Sequence, residues 1–98
     1  MKKTYAMRIV ELDKTNFPKN IHVTSADEAK TITEILGLDE LNDFELQNMR
    51  DMVVMFYDSK QSDALLNAEH SAFESAMNKM MSVTAVIDHI KFKRGLAV

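Results

Sequence analysis

The sequence predicts an α+β domain, predominantly helical, in which an N-terminal two-stranded β-hairpin precedes three α-helices, the last one long. Three observations predict it. Glycine occurs twice and proline once in 98 residues, so the chain turns rarely and long elements are favoured over many short ones. The segment Thr4–Leu12 alternates in the manner of a strand. From Ser25 onward, apolar residues recur instead at helical and heptad spacing.

The strands come first. Tyr5, Met7 and Ile9 alternate with Ala6, Arg8 and Val10, with aromatic and β-branched content that suits a strand. Residues 13–20 (DKTNFPKN) form a turn-rich connection holding the single proline. Ile21–Thr24 reads as a short second strand antiparallel to the first, so residues 1–24 make the hairpin. Two strands alone are marginal in water, and the helices or a second subunit must complete the sheet.

The first helix spans 25–37. Ser25 and Glu28 have the spacing of a capping box, in which each side chain bonds the other's backbone N–H. Asp27 and Glu28 suit the positive end of the helix dipole. Ala29, Ile32, Ile35 and Leu36 face inward, and Gly37 ends the helix in the left-handed conformation, so that Leu38 folds back on Ile32. The second helix spans 42–58, with Asn42 as N-cap and Glu45 three residues on. Leu46, Met49, Val53 and Phe56 form its apolar stripe, widened by Phe44, Met52 and Met55. Residues 58–62 (DSKQS) read as the next connection. The third helix spans 62–93, with 94–98 as a tail. Leu66, Phe73, Met80 and Ile87 recur every seven residues, with Ala76, Val83 and Ile90 in companion positions.

Composition narrows the function. The chain has no cysteine, which excludes disulfides, thiolate metal sites and cysteine nucleophiles. Charged Arg8 and Glu11 interrupt the run after Met1-Lys2-Lys3, so no signal-peptide core is expected, and no stretch reaches the ~18 apolar residues of a membrane span. One cytoplasmic domain without membrane contact is the expectation. Eight methionines give either a soft core or a pliable binding surface.

No constellation points to catalysis. His22, His70 and His89 lie far apart, and His70 with Glu74 is the one i,i+4 pair of metal-ligand types; as a helix-surface pair it needs no metal. No glycine-rich phosphate loop and no activated serine can be identified. The carboxylates near Asn42 are explained by helix-start chemistry. The sequence therefore predicts no enzyme, no cofactor and no metal.

Charge is distributed unevenly. Residues 31–74 carry ten acidic and two basic groups, whereas 75–98 carry four basic and one acidic. Asp39, Glu40, Asp43, Glu45 and Asp51 could form an acidic docking surface, which admits an inhibitor that occupies the basic groove of a nucleic-acid-binding protein. Lys2, Lys3, Lys91, Lys93 and Arg94, with Phe92, admit direct nucleic-acid binding. Net charge of −3 and the suitability of cations at a helix C-terminus weigh against the latter.

The primary expectation is a small oligomeric interaction or regulatory module, binding itself as a homodimer and an unidentified protein partner. Across Ala64–Ile87 only Glu69, Glu74 and Lys79 are charged, in a chain that is 28% charged overall. Leu66, Phe73, Met77, Met80, Val83 and Ile87 are the expected self-association residues. A continuous helix of ~30 residues would be ~45 Å long and would overhang a domain of this size.

Overall fold

A computed structural model describes residues 3–19 and 24–96. The described residues contain four α-helices, α1 (Tyr5–Asp13), α2 (Ala26–Leu36), α3 (Asp43–Leu66) and α4 (His70–Lys93), with a 3-10 turn at Leu38–Glu40, and no strand. The α+β expectation is therefore corrected to an all-helical fold.

The correction originates in the first element. The Thr4 hydroxyl caps a helix by accepting from the Met7 amide at 3.1 Å. Tyr5, Ile9 and Leu12 then recur at helical spacing: Ile9 and Leu12 are buried, and Tyr5 packs against the core. Tyr5 and Ile9 share a face in a helix as well as in a strand, so the nine residues Thr4–Leu12 carried both periodicities. Local preference decides for the helix, because Ala6, Met7, Arg8, Glu11 and Leu12 are strong helix formers and only Ile9 and Val10 are β-branched. Of the expected second strand, Ile21–Val23 lies outside the described residues and Thr24 is not in a strand.

α2 forms where its capping box predicts. The Ser25 hydroxyl accepts from the Glu28 amide at 3.1 Å, and a Glu28 carboxylate oxygen accepts from the Ser25 amide. The other Glu28 oxygen accepts from the Lys19 amide at 2.9 Å, tying the preceding loop to the helix. Gly37 ends α2 with φ +65°, and a Cβ there would meet the Arg8 guanidinium at 2.9 Å. Arg8 needs that space to donate to the Leu36 carbonyl, so this glycine serves both the turn and the α1–α2 contact.

α3 begins at the expected Asn42–Glu45 capping box but runs through the expected connection at 58–62. That polar stretch contains no glycine or proline, and its side chains reach neighbouring elements: Lys60 bonds Asp13, and Gln61 donates to the Met80 sulfur at 3.7 Å. The helix ends instead in a Schellman motif. The Glu69 amide donates to the Ala64 carbonyl at 2.8 Å and the Ala68 amide to the Leu65 carbonyl at 3.2 Å, with Ala68 in the left-handed region at φ 54°. Glycine usually occupies that position, and alanine there hides the turn from the sequence.

α3 and α4 form an antiparallel hairpin. Asp43 pairs with Arg94, Gln47 with Lys91, and Arg50 bidentately with Asp88 at 2.8 and 3.1 Å, so numbers rise along one helix as they fall along the other. α1 lies against α3, α2 against α4, and α1 against α2. The core fills the space between: Ile9 and Leu12 from α1, Ile32 and Leu36 from α2, Leu46, Met49, Val53 and Tyr57 from α3, and Val83, Val86 and Ile87 from α4. α4 has 24 residues, which makes it about 36 Å long. That fits inside the 40 Å long axis of the molecule, so the expected overhang does not exist.

Candidate binding surface

Three features could act on a ligand: a buried polar cluster, a groove, and the face of the hairpin turned away from α1 and α2.

The polar cluster centres on Asp13, the last residue of α1. Its carboxylate accepts from the Tyr57 hydroxyl at 3.1 Å, from Lys79 at 3.2 Å, and from Lys60. Lys79 also donates to the Asp13 backbone carbonyl. Burial alone would raise the Asp13 pKa, but hydrogen bonds and charge from the two lysines outweigh it and hold the carboxyl below its usual range. Burial, and secondarily the Asp13 charge, pushes the Tyr57 hydroxyl well above its ordinary value. A carboxylate held ionised and saturated by internal donors is a weak base, and the cluster is a clamp joining α1 to the hairpin. Among the described residues no buried side-chain nitrogen or oxygen lacks a partner, and no group of three or more His, Asp or Glu could hold a metal ion. His70 and Glu74 are both exposed at the start of α4, and His22 lies outside the described residues.

The groove, about 730 Å³, runs between α2 and the C-terminal half of α4. Ala29, Val86 and Ile90 line it together with Lys30, Glu34 and Lys93. Its volume suits a small molecule, but a rim carrying both signs of charge selects for neither.

The expected acidic surface is partly engaged. Asp43 pairs with Arg94 at 3.2 Å, Glu45 accepts from the Asn42 amide and the Tyr5 hydroxyl, and Asp51 accepts from Gln47. Asp39 and Glu40 are exposed on the 3-10 turn. The basic C-terminal cluster is likewise drawn inward, with Lys91 donating to Gln47 at 2.7 Å and Arg94 to Asp43, while Lys93 is exposed.

The expected self-association residues divide. Val83 and Ile87 are wholly buried in the chain's own core, and Met80 packs against it, so the heptad seam closes α4 onto α3 and not onto a partner. Phe73 and Met77 are half-buried, whereas Leu66 is exposed.

The exposed apolar residues lie elsewhere on the hairpin. Phe44 (74% exposed), Met55 (69%) and Leu66 (85%) on α3, and Met81 (56%) and Phe92 (71%) on α4, are large side chains left in water. Phe44 and Met55 therefore do not widen the core stripe. Phe44, Met55 and Leu66 are spaced by eleven residues, as are Met81 and Phe92. Eleven residues make just over three turns of an α-helix, so each set lies along one side, opposite Val53 on α3 and Val83 on α4. The antiparallel register, which sets Arg50 beside Asp88 and Gln47 beside Lys91, brings Phe92 within two residues of the level of Phe44, and Met81 within two residues of the level of Met55. At the closed end, Leu65 and Leu66 lie level with Phe73. The outer face thus bears a ladder of three apolar rungs about 16 Å apart along the helix axes. Between them stand Asn48, Asp51, Asp58 and Ser62 on α3, and Glu74, Asn78 and Ala85 on α4. The signal in the sequence was the eleven-residue period, which is masked because the same helix also carries the core stripe at three-to-four spacing.

No helix among the described residues is long and apolar enough to cross a membrane. Comparison with protein-family models, with curated proteins and with solved structures finds no match.

Proposed function

We propose that this protein is a small non-catalytic, cytoplasmic interaction module that self-associates through the outer face of the α3–α4 hairpin. The apolar ladder carries the reading. Scattered single apolar side chains are normal on a protein surface. Five large ones set along one face of two adjacent helices form a stripe of the kind that marks a helix–helix contact. Two helices about 36 Å long, packed side by side, present a face of about 700 Å², so two copies would bury about 1,400 Å², within the range of a stable interface. Methionine in the middle rung supplies a flexible contact that adapts to the opposing surface.

Light scattering after size exclusion tests it. At tens of micromolar the expected mass is a multiple of 11.2 kDa. Phe44→Glu and Met55→Glu should each shift the protein to the monomer with little change in melting temperature, because neither side chain supports the monomer core. A monomeric mass for the unaltered chain would refute the proposal, and so would an oligomer indifferent to both substitutions.

A further inference from the structure

The ladder has a symmetry of its own. Phe44 and Leu66 stand eleven residues either side of Met55, and the polar positions follow suit, with Asn48 and Ser62 seven either side and Asp51 and Ser59 four either side. We infer that the occupant of this face is a second copy stacked on it with its closed end pointing the opposite way, about a two-fold axis crossing α3 at Met55. The inference rests on the proposed self-association and specifies its geometry.

In this arrangement α3 lies antiparallel on α3 of the second copy, and α4 on α4. Phe44 meets Leu66 of the second copy at one end and Leu66 meets Phe44 at the other, while Met55 meets itself. Asp51 faces Ser59, so no carboxylate on α3 is set against its own copy. The register of the Arg50–Asp88 and Gln47–Lys91 pairs puts Val83 level with Met55, so the axis crosses α4 there. Met81 then faces the small Ala85, a knob opposite a hollow. Glu74 falls beside Phe92 of the second copy.

Charge selects this orientation over its rival, in which the two closed ends lie together. The closed end carries exposed Asp58, Asp63, Glu69 and Glu74, and its two lysines, Lys60 and Lys79, are committed to Asp13. Stacking closed end on closed end would set these carboxylates against their own copies, whereas the opposed orientation sets them against the end where Asp43 and Asp88 are paired with Arg94 and Arg50. Like-charge apposition is the repulsion that excludes a competing geometry.

The chain has no cysteine, so single-cysteine variants report proximity without background. Met55→Cys, oxidised with copper phenanthroline at tens of micromolar, should form a disulfide-linked dimer at least about ten times faster than Thr31→Cys, an exposed control on α2, because held thiols meet at an effective concentration near the millimolar range. Phe44→Cys alone should resemble the control, while Phe44→Cys mixed with Leu66→Cys should link efficiently. A Met55→Cys that links no faster than the control, or that links preferentially to Met81→Cys, would overturn the geometry. Light scattering on the reduced variants separates the two claims, since a dimeric mass with the wrong cysteine pairing removes the geometry alone and a monomeric mass removes the self-association beneath it.

Discussion

One carboxylate clamps the C-terminal end of α1 to the hairpin, and Asp13→Ala measures what that clamp is worth. Tyr57 is fully buried, so without Asp13 its hydroxyl becomes an unpaired buried donor, at a cost of about 1–3 kcal/mol. Lys79, whose side chain is 19% exposed, loses a charged hydrogen bond of about 1.5–3 kcal/mol but keeps its bond to the Asp13 carbonyl, which places the loss at the low end. Lys60 is half in water, and its contribution is no more than about 1 kcal/mol. The sum is about 2.5–5.5 kcal/mol, or a fall of roughly 10–45 °C in melting temperature for a domain of this size. Urea denaturation followed by circular dichroism reads it. Tyr57→Phe should cost about 1 kcal/mol, and the double variant should cost less than the two singles together, with a coupling of about 1 kcal/mol. The pH dependence follows from the direction of each shift. Asp13 has its folded pKa below its unfolded value, so its contribution is complete above the usual carboxylate range and is lost as pH falls through the folded pKa. Tyr57 has its folded pKa raised, so its contribution is complete below pH ~10 and fades as alkaline pH ionises the unfolded chain first. Asp13→Ala should flatten the acid limb and Tyr57→Phe the alkaline limb. A loss under 1 kcal/mol for Asp13→Ala, or strict additivity in the cycle, would refute the clamp.

Two further substitutions test the turns that set the topology. Ala68→Gly should raise stability by roughly 0.5–1 kcal/mol, because relief of left-handed strain exceeds the added freedom of the unfolded glycine; an unchanged or lower urea midpoint would mean that the hairpin does not close in this motif. Ser25→Ala should cost about 1 kcal/mol, since the Glu28 amide loses its acceptor and Glu28 loses a donor; an unchanged midpoint would place the helix start elsewhere.

Features that depend on a few adjacent residues were legible in the sequence. Ser25 with Glu28, Asn42 with Glu45, and Gly37 each specify a helix end through local hydrogen bonds or a backbone requirement, and each lies where it was expected. The misreadings occurred where the local signal was double or missing. Thr4–Leu12 is short enough to satisfy two periodicities, and only burial of Ile9 and Leu12 on one side separates them. At Asp58–Ser62 a polar run resembled a loop, although Lys60 and Gln61 are polar because they reach Asp13 and Met80 across the fold. At Ala68 a glycine turn was built without glycine. Shortening α4 from the expected 62–93 to His70–Lys93 follows from those last two. Of the seven-residue repeat, Leu66 falls on α3 and is exposed, whereas Met80 and Ile87 do line the seam of α4, and sequence cannot say whether the facing helix belongs to the same chain. Here α3 takes that place, which turns Val83 and Ile87 from interface residues into core.

What remains outside the core follows from the lengths of the elements. α1 and α2 have 9 and 11 residues, whereas α3 and α4 have 24 each. Two short helices packed on one side can cover the inner face of the hairpin, and they leave its outer face bare. A helix with a wet outer side would carry charge there, with apolar residues confined to the inner stripe. α3 instead places Phe44, Met55 and Leu66 opposite Leu46, Val53 and Tyr57, so it carries large apolar side chains on two sides. Helix propensity does not require this, since glutamate or lysine would serve the helix equally well at all three positions. Nor does the monomer core, which none of the three enters. A second hairpin laid on the first would complete two covered layers and give each α3 the apolar neighbour that its outer stripe lacks.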